Sequence, residues 1–173
     1  MKSEIQKAVG VLNMALRIEQ NGYRFYRRAA EETANPKAQE FFRALAEDEV
    51  AHERILSRRL EALERDGAWV PVDAAEWPAS VPIAGAEAIF SPERVPDTVS
   101  DYTSELSALR MAYLIEKNAV EFYSKAARET DDGAARAMYE DLADWERDHQ
   151  RILEREYRFL ADRFKLDVGF APF

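Results

Sequence analysis

The chain has 173 residues, 47% apolar and 33% charged, a balance that suits one soluble globular domain rather than a disordered segment. Its net charge of −9 argues against a nucleic-acid partner, and the absence of cysteine excludes disulfides, thiolate metal sites and iron–sulfur clusters. The N-terminal stretch carries charges throughout and has no apolar run suited to a signal peptide or a membrane span, so cytoplasmic residence without a membrane partner is expected.

From about Ser3 to Glu32 apolar residues recur at helical spacing: Ile5, Val9, Leu12, Leu16, Tyr23, Tyr26 and Ala30. Asn35-Pro36 breaks this run, and Pro36 suits the first turn of a second helix. That helix reaches about Arg65 with a stripe of Phe42, Leu45, Leu56 and Leu63, and Asp66-Gly67 ends it. Pro71, Pro78, Pro82, Pro92 and Pro96 then exclude long helices, leaving room for one short turn over Ile83 to Ile89. Helical spacing resumes near Ser104 with Leu106, Leu109, Tyr113, Val120, Tyr123 and Ala127. Asp131-Asp132-Gly133 forms a turn before a fourth helix carrying Tyr139, Leu142, Leu153, Tyr157 and Leu160. An apolar tail over 164–173 contains Gly169 and Pro172, and is suited to packing on the bundle, mediating a contact or fraying.

Short loops make each helix pair an antiparallel hairpin, 3–66 and 104–163, and the 67–103 crossover is long enough to span a bundle. The expected fold is all-α: one domain over 1–173, a four-helix bundle of two hairpins joined by a long crossover.

His52 and His149 are the only histidines, and each lies three residues after a glutamate, Glu49 and Glu146. Glu-x-x-His on a helix puts both side chains on one face, where they can grip one metal ion. A shift of 97 residues lays one hairpin on the other: Glu19 falls on Glu116, Phe25-Tyr26 on Phe122-Tyr123, Glu49 on Glu146 and His52 on His149. Such a repeat gives pseudo-two-fold symmetry, so the two sets can face each other across one core.

A solvated surface glutamate is the ordinary expectation for any one of these residues. Helical phase opposes it. Glu19 continues Leu12, Leu16, Tyr23 and Tyr26, while Glu49 and His52 continue Phe42, Leu45 and Leu56. Glu116, Glu146 and His149 occupy the same phase in the second hairpin. Four carboxylates in a core would be ruinous without positive charge, since each buried ion costs several kcal/mol. Two divalent metals supply that charge; protonation in a metal-free protein is the alternative. One imidazole per metal with a carboxylate-rich remainder favours iron, with manganese second and zinc third.

Gly22 and Ala119, small residues one turn after the lone glutamates, either leave space at the site or serve packing. Tyr26 and Tyr123 are ordinary core residues by type, yet each lies seven residues after a lone glutamate on the same face, placed to hydrogen-bond a ligating carboxylate or relay an electron. Asp48, Asp144 and Asp148 are alternative acceptors for orienting the histidine rings.

Over both hairpins this pattern resembles the ferritin-like superfamily, closest to the rubrerythrin-type di-iron domain. The resemblance implies Glu19 and Glu116 as terminal ligands, Glu49 and Glu146 as bridges, and His52 and His149 each capping one iron. It also implies departures. The cysteines of a rubredoxin-like site are missing, so electrons must come from a separate donor such as a rubredoxin. The additional glutamate of rubrerythrins is replaced by Tyr113, leaving a symmetric set that also resembles bacterioferritin, whose haem-binding methionine is replaced by Val50; haem is not expected. The implied function is a di-iron oxidoreductase reducing hydrogen peroxide or oxygen. The alternatives are a ferroxidase or iron-storage protein, and a non-enzymatic iron or oxygen sensor docking a partner through Val168 to Phe173. Paired hairpins of this type commonly associate, so a homodimer is expected.

Overall fold

In the computed structural model, residues 2–78, 89, 96, 99–167 and 169 are described. Among them the chain forms four long helices, α1 (Lys2–Glu32), α2 (Pro36–Asp66), α3 (Val99–Glu129) and α4 (Gly133–Asp167), and one short 3-10 helix, Ala74–Glu76. The protein is an all-α four-helix bundle. α1 packs along α2, α3 along α4, and the hairpins meet with α1 against α3.

The loops end where local chemistry dictates. Asn35 Oδ1 accepts hydrogen bonds from the backbone N–H of Lys37 and Ala38 at 2.9 and 3.3 Å, satisfying the first orphan donors of α2. Asp132 does the same for α4 through Ala134 and Ala135 at 2.8 and 3.0 Å. Gly67, at φ 66, takes the left-handed position after α2, and its N–H returns to the Leu63 carbonyl.

The second hairpin is longer than its apolar periodicity predicts. α3 begins at Val99, five residues before Ser104, and α4 runs through Asp167 into the expected tail. Tertiary contact explains both extensions: the Tyr102 ring lies 5.3 Å from Phe164 and its hydroxyl donates to Asp167. The short turn expected over Ile83 to Ile89 falls outside the described residues apart from Ile89, as does the Val168 to Phe173 tail apart from Gly169.

The buried seams alternate steps of three and four: Leu12, Ala15, Glu19, Gly22 and Tyr26 on α1, and Leu109, Ala112, Glu116, Ala119 and Tyr123 on α3. Leu16 and Tyr23, expected in the stripe, are half-buried flanks. The small residues Ala15 and Gly22 take seam positions, and at Gly22 a side chain would run into the Glu49 carboxylate. Apolar core lies in two clusters, one around Leu12, Leu63, Tyr123 and Tyr139, the other around Tyr26, Phe42, Leu109 and Leu153.

The start of the crossover is strapped to the bundle by Arg59, which is 2% exposed. Its guanidinium donates to both Glu76 carboxylate oxygens at 2.6 and 2.7 Å and to the Pro71 carbonyl at 2.7 Å. The pairing holds Glu76 well below the usual carboxylate pKa range and sets Trp77 beside His52, ring centres 6.3 Å apart.

Candidate metal centre

Each helix sends polar side chains into the bundle, between apolar neighbours on its own seam. α1 supplies Glu19, α2 supplies Glu49 and His52, α3 supplies Glu116, and α4 supplies Glu146 and His149; all six are buried. Their donor atoms form two groups, each with members within 4.8 Å of one another: Glu19, Glu49, His52 and Glu146, then Glu116, Glu146 and His149. Glu146 belongs to both. Glu49, its repeat counterpart, groups with the first set alone.

His52 Nδ1 lies 3.1 Å from Glu19 and 3.2 Å from Glu146. His149 Nδ1 lies 3.2 Å from Glu146 and 3.6 Å from Glu116. Both rings therefore turn the same nitrogen toward the carboxylates, and they face each other 6.4 Å apart.

The surroundings sort the remaining candidates. Tyr26 donates to Glu116 and Tyr123 to Glu19, so each tyrosine serves the glutamate of the other hairpin rather than the one seven residues before it. The pseudo-two-fold sets α1 against α3, which makes the crossed contact the short one. Of the three aspartates, Asp48 meets a histidine, at 3.1 Å from His149 Nε2. Asp144 and Asp148 instead pair on the surface with Arg147 and Arg151. At Gly22 a Cβ would stand 2.7 Å from a Glu49 carboxylate oxygen, so Gly22 clears space for that side chain. Ala119, its counterpart, keeps its methyl and stays buried.

Burial and like charge raise Glu49 and Glu116, while opposite charge raises the histidines and lowers Glu146. Burial, with the Glu19 and Glu146 carboxylates nearby, drives Glu49 well above its usual pKa, and burial beside Glu146 raises Glu116 to about 8. Burial favours neutral imidazoles, but Glu146 and Glu19 outweigh it at His52, raised to about 10, and Asp48, Glu116 and Glu146 outweigh it at His149. The same two histidines overcome burial at Glu146 and hold it well below the usual range. Burial and the neighbouring carboxylates, Glu116 at Tyr26 and Glu19 at Tyr123, push both phenols well up.

The donor set fits two divalent cations. Glu116 Oε2 and Glu146 Oε1 are buried without hydrogen-bond partners, the latter lacking suitable geometry despite His52 nearby. Cations there would satisfy both oxygens and replace the protons that otherwise neutralise the cluster.

The sequence model of the rubrerythrin family matches residues 10–157, which takes in all six residues. The chain belongs to the rubrerythrin family. The shared fold also appears in a solved structure of a hypothetical protein from Pyrococcus furiosus, 26% identical, with a TM-score of 0.64 over 88% of this chain and 89% of that one. No curated protein sequence matches the chain. Among the described residues no helix is long and apolar enough to cross a membrane.

Sequence periodicity missed two contributors. Arg59 lies seven residues after His52 in the buried series of α2, and a cation in that phase was the available signal for a strapped crossover. Trp145, which stands 5.8 Å from the His52 ring, gave no signal of its own, because its role depends on a contact between hairpins.

Proposed function

We propose that this centre holds two iron ions and that the chain is an oxidoreductase reducing hydrogen peroxide with electrons from a separate one-electron donor. One observation carries the reading: four buried glutamates and two buried histidines form two donor groups joined through Glu146. One imidazole in each carboxylate-rich group favours iron, with manganese second. When bound, two ferrous ions supply one electron each, which with two protons convert a peroxide to two waters.

The protein's own part is positioning and exclusion. Glu19, Glu49 and His52 would hold one ion and Glu116 and His149 the other, with Glu146 available to both. Tyr26 and Tyr123 aim the Glu116 and Glu19 carboxylates, and their raised pKa keeps each phenol proton on its oxygen, ready to be shared with the ligand. The apolar clusters around Leu12 and Tyr26 exclude bulk water, which strengthens every charge interaction inside. These 173 residues contain no cysteine, so a rubredoxin-like donor site lies outside them.

The test is anaerobic. Protein loaded with ferrous iron is mixed with peroxide or with oxygen, and the absorbance of oxidised iron is followed. Faster oxidation by peroxide with iron retained at two per chain is the expected result. A peroxide reaction no faster than that with oxygen, with iron leaving or accumulating beyond two, favours a ferroxidase.

A further inference from the structure

The repeat that matches every ligand fails at the residue before each Glu-x-x-His pair: Asp48 on α2, Trp145 on α4. Asp48 is 4% exposed, and its carboxylate lies 3.1 Å from His149 Nε2. Trp145 offers no equivalent acceptor, since an indole only donates. His52 Nε2 is accordingly buried with no hydrogen-bond partner, edged by the Trp145 and Trp77 rings at 5.8 and 6.3 Å.

We propose that Asp48 is a positioning residue for one of the two cations only, and that Trp145 at the matching place leaves the His52 half of the centre unsupported. The proposal rests on the two-metal reading above. An imidazole that binds a cation through Nδ1 must carry its proton on Nε2. At His149 that N–H donates to Asp48, which fixes the tautomer, locks the ring and makes Nδ1 a stronger donor. At His52 the same N–H faces indole edges, so cation binding leaves a buried donor unmet. Glu49 gives the His52 half an extra carboxylate, so the deciding quantity is how each half responds to its own substitution rather than which half is tighter.

The two histidines make each half separately observable. Metal-free protein labelled with ¹⁵N-histidine is titrated with chelator-buffered Zn(II), each ring reporting its own half, and circular dichroism verifies that every variant is folded. Asp48→Asn is expected to raise the free zinc needed to half-saturate His149 by about 10–100-fold, the usual effect of removing such a partner, and to leave His52 unchanged. It should also abolish slow exchange of the His149 Nε2 proton, which a merely structural role would not do. Trp145→Asp should shift His52 the opposite way. Equal shifts of both rings, or no shift, in Asp48→Asn would overturn the proposal while leaving two bound metals intact. If neither ring responds to zinc in the unsubstituted protein, the two-metal reading itself fails and takes this inference with it.

Discussion

The two hairpins are alike where they touch the centre and different one layer out. Both bury a lone glutamate, a Glu-x-x-His pair and a tyrosine that reaches across to the opposite glutamate. Around these, Gly22 faces Ala119 in the repeat, Phe42 faces Tyr139, Asp48 faces Trp145, and the buried cation Arg59 faces the buried anion Glu156. The difference shows where the constraint lies. A ligand in the seam has one phase and one chemistry available to it, so both copies match. Its supports have several solutions, and each half has settled on its own.

The comparison breaks most completely at Glu146, the residue in both donor groups. Glu146→Ala should remove both metals, whereas Glu116→Ala should remove one; elemental analysis of the purified variants distinguishes them. Retention of one metal by Glu146→Ala would show that the halves do not share it.

Acid and base act on both halves of the metal-free protein, at different pH. Glu116 keeps its proton to about 8 in the folded chain against an ordinary value of 4.5, and His52 to about 10 against 6.5. Between those limits the folded state holds more protons than the unfolded state, so stability must fall as pH rises through them. Thermal melting of metal-free protein should therefore drop steadily from mildly acidic to alkaline pH, with the Glu116 part lost first. Metal replaces those protons and should flatten the curve. A metal-free melting temperature that climbs over this range would contradict the assigned proton positions.

Tyr26→Phe and Tyr123→Phe probe the crossed hydrogen bonds. Each leaves a buried carboxylate oxygen without its donor, worth about 1–3 kcal/mol of stability in denaturant unfolding. Similar losses are expected, because both phenols are fully buried.

Gly22→Ala and Ala119→Gly then separate the halves again. The first adds a methyl that must push the Glu49 carboxylate aside, and should weaken metal binding about tenfold or more, the scale for disturbing a ligand's support. The second should cost about 1 kcal/mol of helix stability and leave the metal count alone. Metal titration alongside melting resolves the pair, and equal effects on metal affinity would refute the role given to Gly22.

Much of this was legible in the chain. The helix breaks at Asn35-Pro36, Gly67 and Asp132 rest on local capping chemistry, and the six candidate ligands are buried in phase with Leu45, Leu56, Leu142 and Leu153. What escaped depends on distance. Val99 to Thr103 have modest helix propensity and are helical because Tyr102 finds Phe164 and Asp167 on α4. Ala15 belongs to the seam, a position passed over by the series read through Leu12, Leu16 and Tyr23. Asp48 was indistinguishable from Asp144 and Asp148 until the facing hairpin supplied His149. Arg59 reaches Glu76, 17 residues on, and no helical period encodes that contact.

The central claim is that these six side chains exist to hold two metals. Metal analysis of protein purified without added metal, together with its absorption spectrum after oxidation, tests it most directly. Two irons per chain with ligand-to-iron charge-transfer bands, both lost in Glu146→Ala, is the expected result. Zinc alone, or a fully folded protein that takes up no metal, would contradict it.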